Sequence, residues 1–236
     1  MLSRIEIAAE YRAGRTVVAS IRGGQHFAAR QTGPGVVHLV GTAAGPLGGD
    51  DVTIVVHVGP GARLAIRSAG ATIVQPGGQV PDSVLRLLLT VEDGGWLDFA
   101  CEPTVVCHRA THTAEAALEL AGSGQLRLLE QVVLGRSNEP GGHWVGRTSL
   151  TRDGFPELRH TLRSPGLAAD GTRVISTLLR SGVEATPATC GNAVAMGLAA
   201  GGLLVTATGT ELLATQADLL AAAELAAPTH STMATA

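Results

Sequence analysis

Three groups of residues have the types and spacing to do chemistry. The first is Cys101-x5-Cys107-His108-x3-His112. On an extended strand residues 108 and 112 would point to one side, and thiolates with imidazoles form a soft ligand set suited to zinc, nickel or copper. Pro103 interrupts the run, and Cys107 follows Val105 and Val106, so the same residues also read as a small buried thiol beside surface histidines. The second is Glu130, which shares an alternating face with Leu126, Leu128, Val132 and Leu134. A carboxylate in an apolar row needs an ionic partner, such as Arg127 or Arg136, a route to solvent, or a wet interior. The third is Pro46-Leu47-Gly48-Gly49-Asp50-Asp51, where the glycine pair permits positive φ and the acids can cap a turn or meet a cation.

Other chemistry is missing. The sequence has no G-x-S-x-G elbow, H-E-x-x-H helix, EF-hand loop or paired C-x-x-C. All 17 cationic residues are arginine, which removes phosphate-loop, Schiff-base and kinase mechanisms that need a lysine. No local motif supports catalysis.

Composition narrows the class further. Charged residues make up 16% of the 236, against about 25% in an average soluble chain. A net charge of -3 and 3% aromatic residues leave neither a basic stripe nor stacking platforms, so nucleic acid is not an expected partner. Glu6 stands where a signal peptide would begin its apolar stretch, and the three cysteines are too few and odd in number for a disulfide scaffold. Both observations lead us to expect a cytoplasmic location. The uncharged stretch 185–210 contains Pro187, several threonines and a Gly201-Gly202 break, and reads as a buried strand pair rather than a membrane span.

The elements that must position these residues are mostly strands. Turn signals recur at Gly23-Gly24, Gly33-Pro34-Gly35, Gly59-Pro60-Gly61, Gly94-Gly95, Gly122-Ser123-Gly124 and Asp153-Gly154, with short runs of Val, Ile, Leu and Thr between them. From Asp51 to Val58, one face is Val52, Ile54, Val56 and Val58. From Ser83 to Val91, one face is Leu85, Leu87, Leu89 and Val91, but Val84 and Leu88 on the other face are apolar too. That two-sided pattern predicts strands covered on both faces, in a mainly β single domain of stacked, solenoid-like (β-helical) sheets. One or two helices close the domain, which is expected to span 1–226. The helix falls at 210–225 with Thr210 as N-cap and apolar positions 212, 213, 219, 220 and 225, and a frayed tail follows over 227–236.

The order of these segments resembles the urease accessory protein D family, also called H. The resemblance is carried by Gly41 to Asp50 with its Gly48-Gly49-Asp50 ending, Val58-Gly59-Pro60-Gly61-Ala62-Arg63-Leu64 and Ser68-Ala69-Gly70-Ala71-Thr72. Further on it is carried by Glu102-Pro103-Thr104, by Leu129-Glu130-Gln131-Val132-Val133-Leu134-Gly135-Arg136, and by Gly202 to Ala207 before a helix. Two positions depart from the family pattern. Ile73 stands where members commonly carry a basic residue, and Pro140-Gly141 stands where they carry a Gly-Glu pair.

The resemblance implies a non-catalytic maturation factor that docks on apo-urease and, with accessory proteins F and G, the latter a GTPase, assists nickel insertion. No tightly bound cofactor is then expected, only transient nickel. A water-filled internal passage proposed for the family makes Asp50, Ser68, Thr72 and Glu130 candidates for an interior polar path, with Gly48, Gly49, Gly135 and Arg136 as motif turns. Two alternatives remain open from the sequence. One is a metal-binding enzyme using Cys101, Cys107, His108 and His112, and the other a scaffold that bridges partners without handling nickel.

Overall fold

Short apolar runs of period two, punctuated by glycine turns, fold into strands that stack as rungs of a coil. The computed structural model describes residues 1–78, 80, 82–164 and 171–227. The smaller of two sheets has seven strands. Numbered in chain order, they lie as β14 (Phe155–Arg163), β13 (His143–Arg152), β11 (Thr111–Leu120), β8 (Asp82–Val91), β5 (Asp51–Val58), β1 (Leu2–Arg12) and β2 (Arg15–Gly23).

The larger sheet begins with β16 (Ala188–Cys190), β17 (Ala193–Gly197), β18 (Gly202–Gly209) and β15 (Val174–Ser181). It continues through β12 (Gln125–Leu134), β9 (Trp96–Ala100), β6 (Arg63–Ser68), β4 (Val36–Gly41) and β3 (Phe27–Gly33). Two short strands complete it: β7 (Thr72–Val74) pairs with β10 (Thr104–Val106), which pairs with β12.

From β5 to β13 the chain alternates between the sheets, and strands one coil apart pair in parallel. In the smaller sheet β5 pairs with β8, β8 with β11 and β11 with β13; in the larger, β6 pairs with β9 and β9 with β12. This is the expected solenoid-like stacking. The turns stack with the rungs. The Gly61 N–H donates to the Asp93 carbonyl at 3.0 Å, the Ser123 N–H to the Asp93 carboxylate at 2.8 Å, and the Gly122 N–H to the Asp153 carboxylate at 3.0 Å. Gly61 and Gly94 both take φ +66°, a region that side chains disfavour.

Inward-facing side chains fill the space between the sheets. Val52, Ile54, Val56 and Val58 are all buried, as their alternation predicts. The expectation of two-sided cover fails for β8, whose outward Leu88 is 36% exposed. The covering element, helix α1 (Leu212–Ala226), lies instead against β15 to β18 of the larger sheet. The uncharged stretch 185–210 does form strands, with β17 and β18 paired antiparallel about the glycine break.

The helix itself differs from its sequence reading. Its N-cap is Glu211, in an extended conformation and with no side-chain cap, rather than Thr210. Leu213, Leu220 and Leu225 are exposed, while the buried stripe is Thr215, Leu219, Ala222, Ala223 and Ala226. Small residues let the helix sit close to the sheet, so the apolar positions alone misplaced the contact face. The expected tail falls almost wholly outside the described residues.

Leu219 is the one large side chain that α1 buries completely. Leu219→Ala should lower unfolding free energy by about 2–4 kcal/mol and speed hydrogen exchange over 212–226 more than in β5 or β11. Denaturant melts with exchange mass spectrometry check both effects.

Candidate functional site

The interior polar site arises where the larger sheet is interrupted. Residues 69–71 separate β6 from β7, and residues 101–103 separate β9 from β10, so two neighbouring rungs break at one level. Pro103 contributes to the break because it has no N–H to donate to a ladder. Strand β12 runs through unbroken: Leu129 pairs with Ala100 and Val132 with Thr104, which leaves Glu130 and Gln131 opposite the gap. The Ser68 hydroxyl holds the broken ends, donating to the Gly70 carbonyl and accepting from the Glu102 N–H, each at 2.9 Å. The Thr72 N–H donates to the Pro103 carbonyl at 3.0 Å.

A cavity of ≈ 60 Å³ lies at this gap, lined among others by Ser68, Thr72, Cys101, Glu130, Leu85 and Leu87. At ~15 Å³ of such space per molecule it has room for about four waters. It adjoins a larger pocket of ≈ 470 Å³ beside Gly41 to Gly45, and the two share Phe27, Leu39, Ser68 and Thr72 in their walls. Three of the four expected path residues, Ser68, Thr72 and Glu130, therefore meet in one cavity.

Glu130 keeps the environment its row predicts, since Leu126, Leu128, Val132 and Leu134 are all buried. Among the described residues no group donates a hydrogen bond to its carboxyl or pairs with it. Both arginines that might have neutralised it are engaged elsewhere, Arg127 with Asp98 at 2.9 Å and Arg136 with Glu139 at 3.0 Å. Burial therefore pushes the Glu130 carboxyl up to about 7. At neutral pH a small change in field, such as an approaching cation, is enough to ionise it.

Asp50 is placed apart from this cavity. Its carboxylate accepts from the Met1 amine at 2.6 Å and from the Leu47 N–H at 2.8 Å, and is 8% exposed. Burial by itself would raise its pKa, but the hydrogen bonds to the Met1 amine and Leu47, with the nearby charges, bring it below the usual carboxylate value. The residue locks the glycine turn. Gly48 is required there by close approach, as a Cβ on it would lie 2.6 Å from the Gly77 amide nitrogen, and Gly49 adopts φ +89°.

Gly135 and Arg136 also hold a turn. Gly135 has φ +82°, Arg136 pairs with Glu139, and Arg173 donates to the Arg136 carbonyl at 2.7 Å. Pro140-Gly141 packs against Leu134, and Ile73 pairs in register with Val105, so neither departure from the family pattern opens the fold.

The cysteine and histidine set does not assemble. Cys107 to Ala110 is a turn, closed by the Ala110 N–H to the Cys107 carbonyl at 3.0 Å, so residues 108 and 112 do not share one extended strand. His108 is exposed in that turn. His112 is buried in β11, its Nδ1 2.9 Å from the Ser83 hydroxyl, and burial lowers its pKa to about 4. Cys101 lines the Glu130 cavity, where burial pushes its thiol up to about 12, and burial likewise raises Cys107. Among the described residues no group of three or more Cys, His, Asp or Glu side chains is arranged to hold a metal ion.

Fold and site together define a β-solenoid-like protein with a largely apolar interior pocket into which a few polar residues, Glu130 among them, are set. The family model for the UreD urease accessory protein matches residues 3–234. The chain belongs to that family. It is 40% identical over 167 residues to urease accessory protein UreD 1 of Saccharopolyspora erythraea, covering 67% of this chain and 64% of that one. It is 35% identical over 212 residues to urease accessory protein UreD of Parafrankia sp., covering 76% and 71%. With the Frankia alni protein of the same name it shares 48% identity over 106 residues, 45% of this chain and 36% of the relative. The matches thus span under two thirds of the Saccharopolyspora and Frankia relatives.

The buried carboxyl sets a pH dependence. With its folded pKa raised from 4.5 to about 7, Glu130 contributes a protonated-state stabilisation that is complete below about pH 4.5 and lost as pH rises through 7. Glu130→Gln should remove that loss and raise stability at pH 8 by about 2–3 kcal/mol relative to the parent, with little difference at pH 4.5. Denaturant melts across pH 4.5–8 measure it.

Proposed function

We propose that this chain is a cytoplasmic urease maturation chaperone that docks on apo-urease and, with accessory proteins F and G, helps deliver nickel to the urease active site. Membership of the urease accessory family supports a role in maturation. The observation that carries the finer reading is the unpaired Glu130 carboxyl in a pocket that also holds the Ser68 and Thr72 side chains.

That chemistry suits a metal in transit. A divalent ion that must move on needs hydrated, weak oxygen contacts, whereas a closed cysteine and histidine site would retain it. With its pKa raised to about 7, Glu130 is close to half protonated at neutral pH, and a cation entering the pocket draws it towards the anion. Ser68 and Thr72 offer hydroxyl oxygens that replace part of a hydration shell without charge. Nickel here is cargo. The reading of an enzyme built on Cys101, Cys107, His108 and His112 gains no support from the structure, since those side chains are dispersed.

A second feature fits partner docking. Leu213 and Leu220, seven residues apart on one face of α1, are 78% and 40% exposed, and the helix lies on the outside of the larger sheet. An apolar helix face of this kind suits accessory protein F, which would bury it. The scaffold reading needs only this face, and nickel handling needs the pocket as well.

Two experiments separate these parts. Glu130→Ala, made alongside the parent in cells that express urease, should lower urease activation at least about tenfold while co-purification with urease is unchanged. Activation at the parental level overturns the pocket's role and leaves the scaffold. In contrast, Leu213→Glu with Leu220→Glu should abolish co-purification with accessory protein F and leave the thermal melt within a few degrees of the parent. Retained co-purification removes α1 from the interface.

A further inference from the structure

Net charge averages over the faces of a protein, and strand register separates them. On the outer face of the larger sheet, Arg30 on β3 pairs with His38 on β4, and His38 with Arg67 on β6. On the next row Asp98 on β9 pairs with Arg127 on β12, and Arg127 with Arg180 on β15. Arg63 takes the same face of β6 as Arg67. The alternate residues Leu39, Ile66, Phe99, Leu128 and Leu179 are buried in the main core, so these polar side chains all point outward. A chain of net charge -3 thus carries a basic belt across one face, with Asp98 as the one acid on that face from β3 to β15.

The belt holds more positive charge than the fold neutralises. Asp98 sits between two guanidiniums, its carboxylate accepting from Arg127 at 2.9 Å and also from Arg67. Arg67 donates in addition to the Asp98 carbonyl at 2.9 Å. Arg180 stands directly opposite Arg127, and among the described residues Arg180, Arg30 and Arg63 pair with no carboxylate. Like charges opposite each other in an antiparallel pair destabilise a sheet. Proteins keep local conflicts of this kind at functional sites and compensate elsewhere.

We infer that this belt docks an extended acidic segment of a partner protein, with one partner carboxylate seated between Arg127 and Arg180 as Asp98 is seated between Arg67 and Arg127. Guanidinium forks match carboxylates in two-point contacts. The belt runs over neighbouring strands β3, β4, β6, β9, β12 and β15. At a strand spacing of about 4.8 Å that is about 24 Å, the length of roughly seven extended residues. It stops where α1 begins, since Leu203, the partner of Arg180 on β18, is buried with Leu219 of the helix. A segment lying on the belt therefore reaches the flank of α1, and the outward leucines of α1 extend the same docking surface. Trp96 is the one aromatic side chain on this face of these strands, which gives nucleic acid no row of stacking platforms. The belt sets the chemistry of a docking partner and does not depend on nickel entering the Glu130 pocket.

The test titrates a fluorescent oligoglutamate peptide of about eight residues, enough to cover the belt, into the purified full chain. Arg127→Glu with Arg180→Glu should weaken binding at least about tenfold, while Arg22→Glu with Arg159→Glu, the same charge change on the smaller sheet, should leave it within about twofold. Equal losses in the two variants overturn the proposal. Tighter binding of a thymidine oligonucleotide of matched charge, or of phosphatidylserine vesicles, overturns the assignment to an acidic protein segment.

Arg180→Gln separates recognition from folding, and carries the test where the double substitution does not fold. It removes a charge that opposes Arg127, so the thermal melt should hold or rise while peptide affinity falls several-fold. A lower melting temperature makes Arg180 a structural residue and overturns the proposal, as does an unchanged affinity. Because the peptide is bound by the purified chain, this outcome is read independently of urease activation in Glu130→Ala.

Discussion

A strand that coils between two stacked sheets must send every second side chain into the one space the sheets share. That constraint organises this protein. Parallel pairing of successive rungs keeps the parity from coil to coil, so an inward residue on β5 is followed in register by inward residues on β8, β11 and β13. The apolar majority of those positions makes the core. The polar minority, Glu130 foremost, is carried inside by the same rule and cannot leave without reversing the facing of its whole strand.

What turns a misplaced carboxyl into a site is the coincidence of two breaks in the neighbouring rungs. Had β6 and β9 continued past Ser68 and Ala100, their side chains would have closed over Glu130 and left it a buried acid without water. The gap instead provides a cavity and several oxygen atoms, and Ser68 satisfies the backbone groups that the broken ladder frees. The site depends as much on missing strand as on present side chains. The same economy appears at the Gly48-Gly49-Asp50 turn, where Asp50 looks like chemistry in the sequence and is occupied by structure: its carboxylate binds the chain's own N–H groups.

Distribution of charge follows from the coil as well. With no lysine, most ionic contacts among the described residues fall to arginine, whose planar fork reaches two strands at once. Arg86 bridges to Asp51 and Glu115, and Glu115 continues to Arg147, so one ladder of ion pairs crosses four strands on the outer face of the smaller sheet. Exposed pairs of this kind contribute little each. They hold Arg86 and Arg147 on the outer face, as Asp98 holds Arg127 and Glu139 holds Arg136, and among the described residues no arginine pairs with Glu130.

The sequence by itself determined the strand-rich coil, because period-two alternation and glycine spacing are local signals. It also determined that Glu130 would sit in an apolar row, and through its ordered motifs it pointed to the urease accessory family. It did not determine which polar residues meet. Ser68, Thr72, Cys101 and Glu130 share a cavity because different rungs break at one level, and Arg127 meets Arg180 only through antiparallel register between strands far apart in the chain. The cysteine and histidine cluster failed for the same reason in reverse: residues close in sequence were separated by a turn at Cys107 that period and composition did not mark. Spacing along a chain predicts which face a side chain takes, and only the pairing of strands decides what stands opposite it.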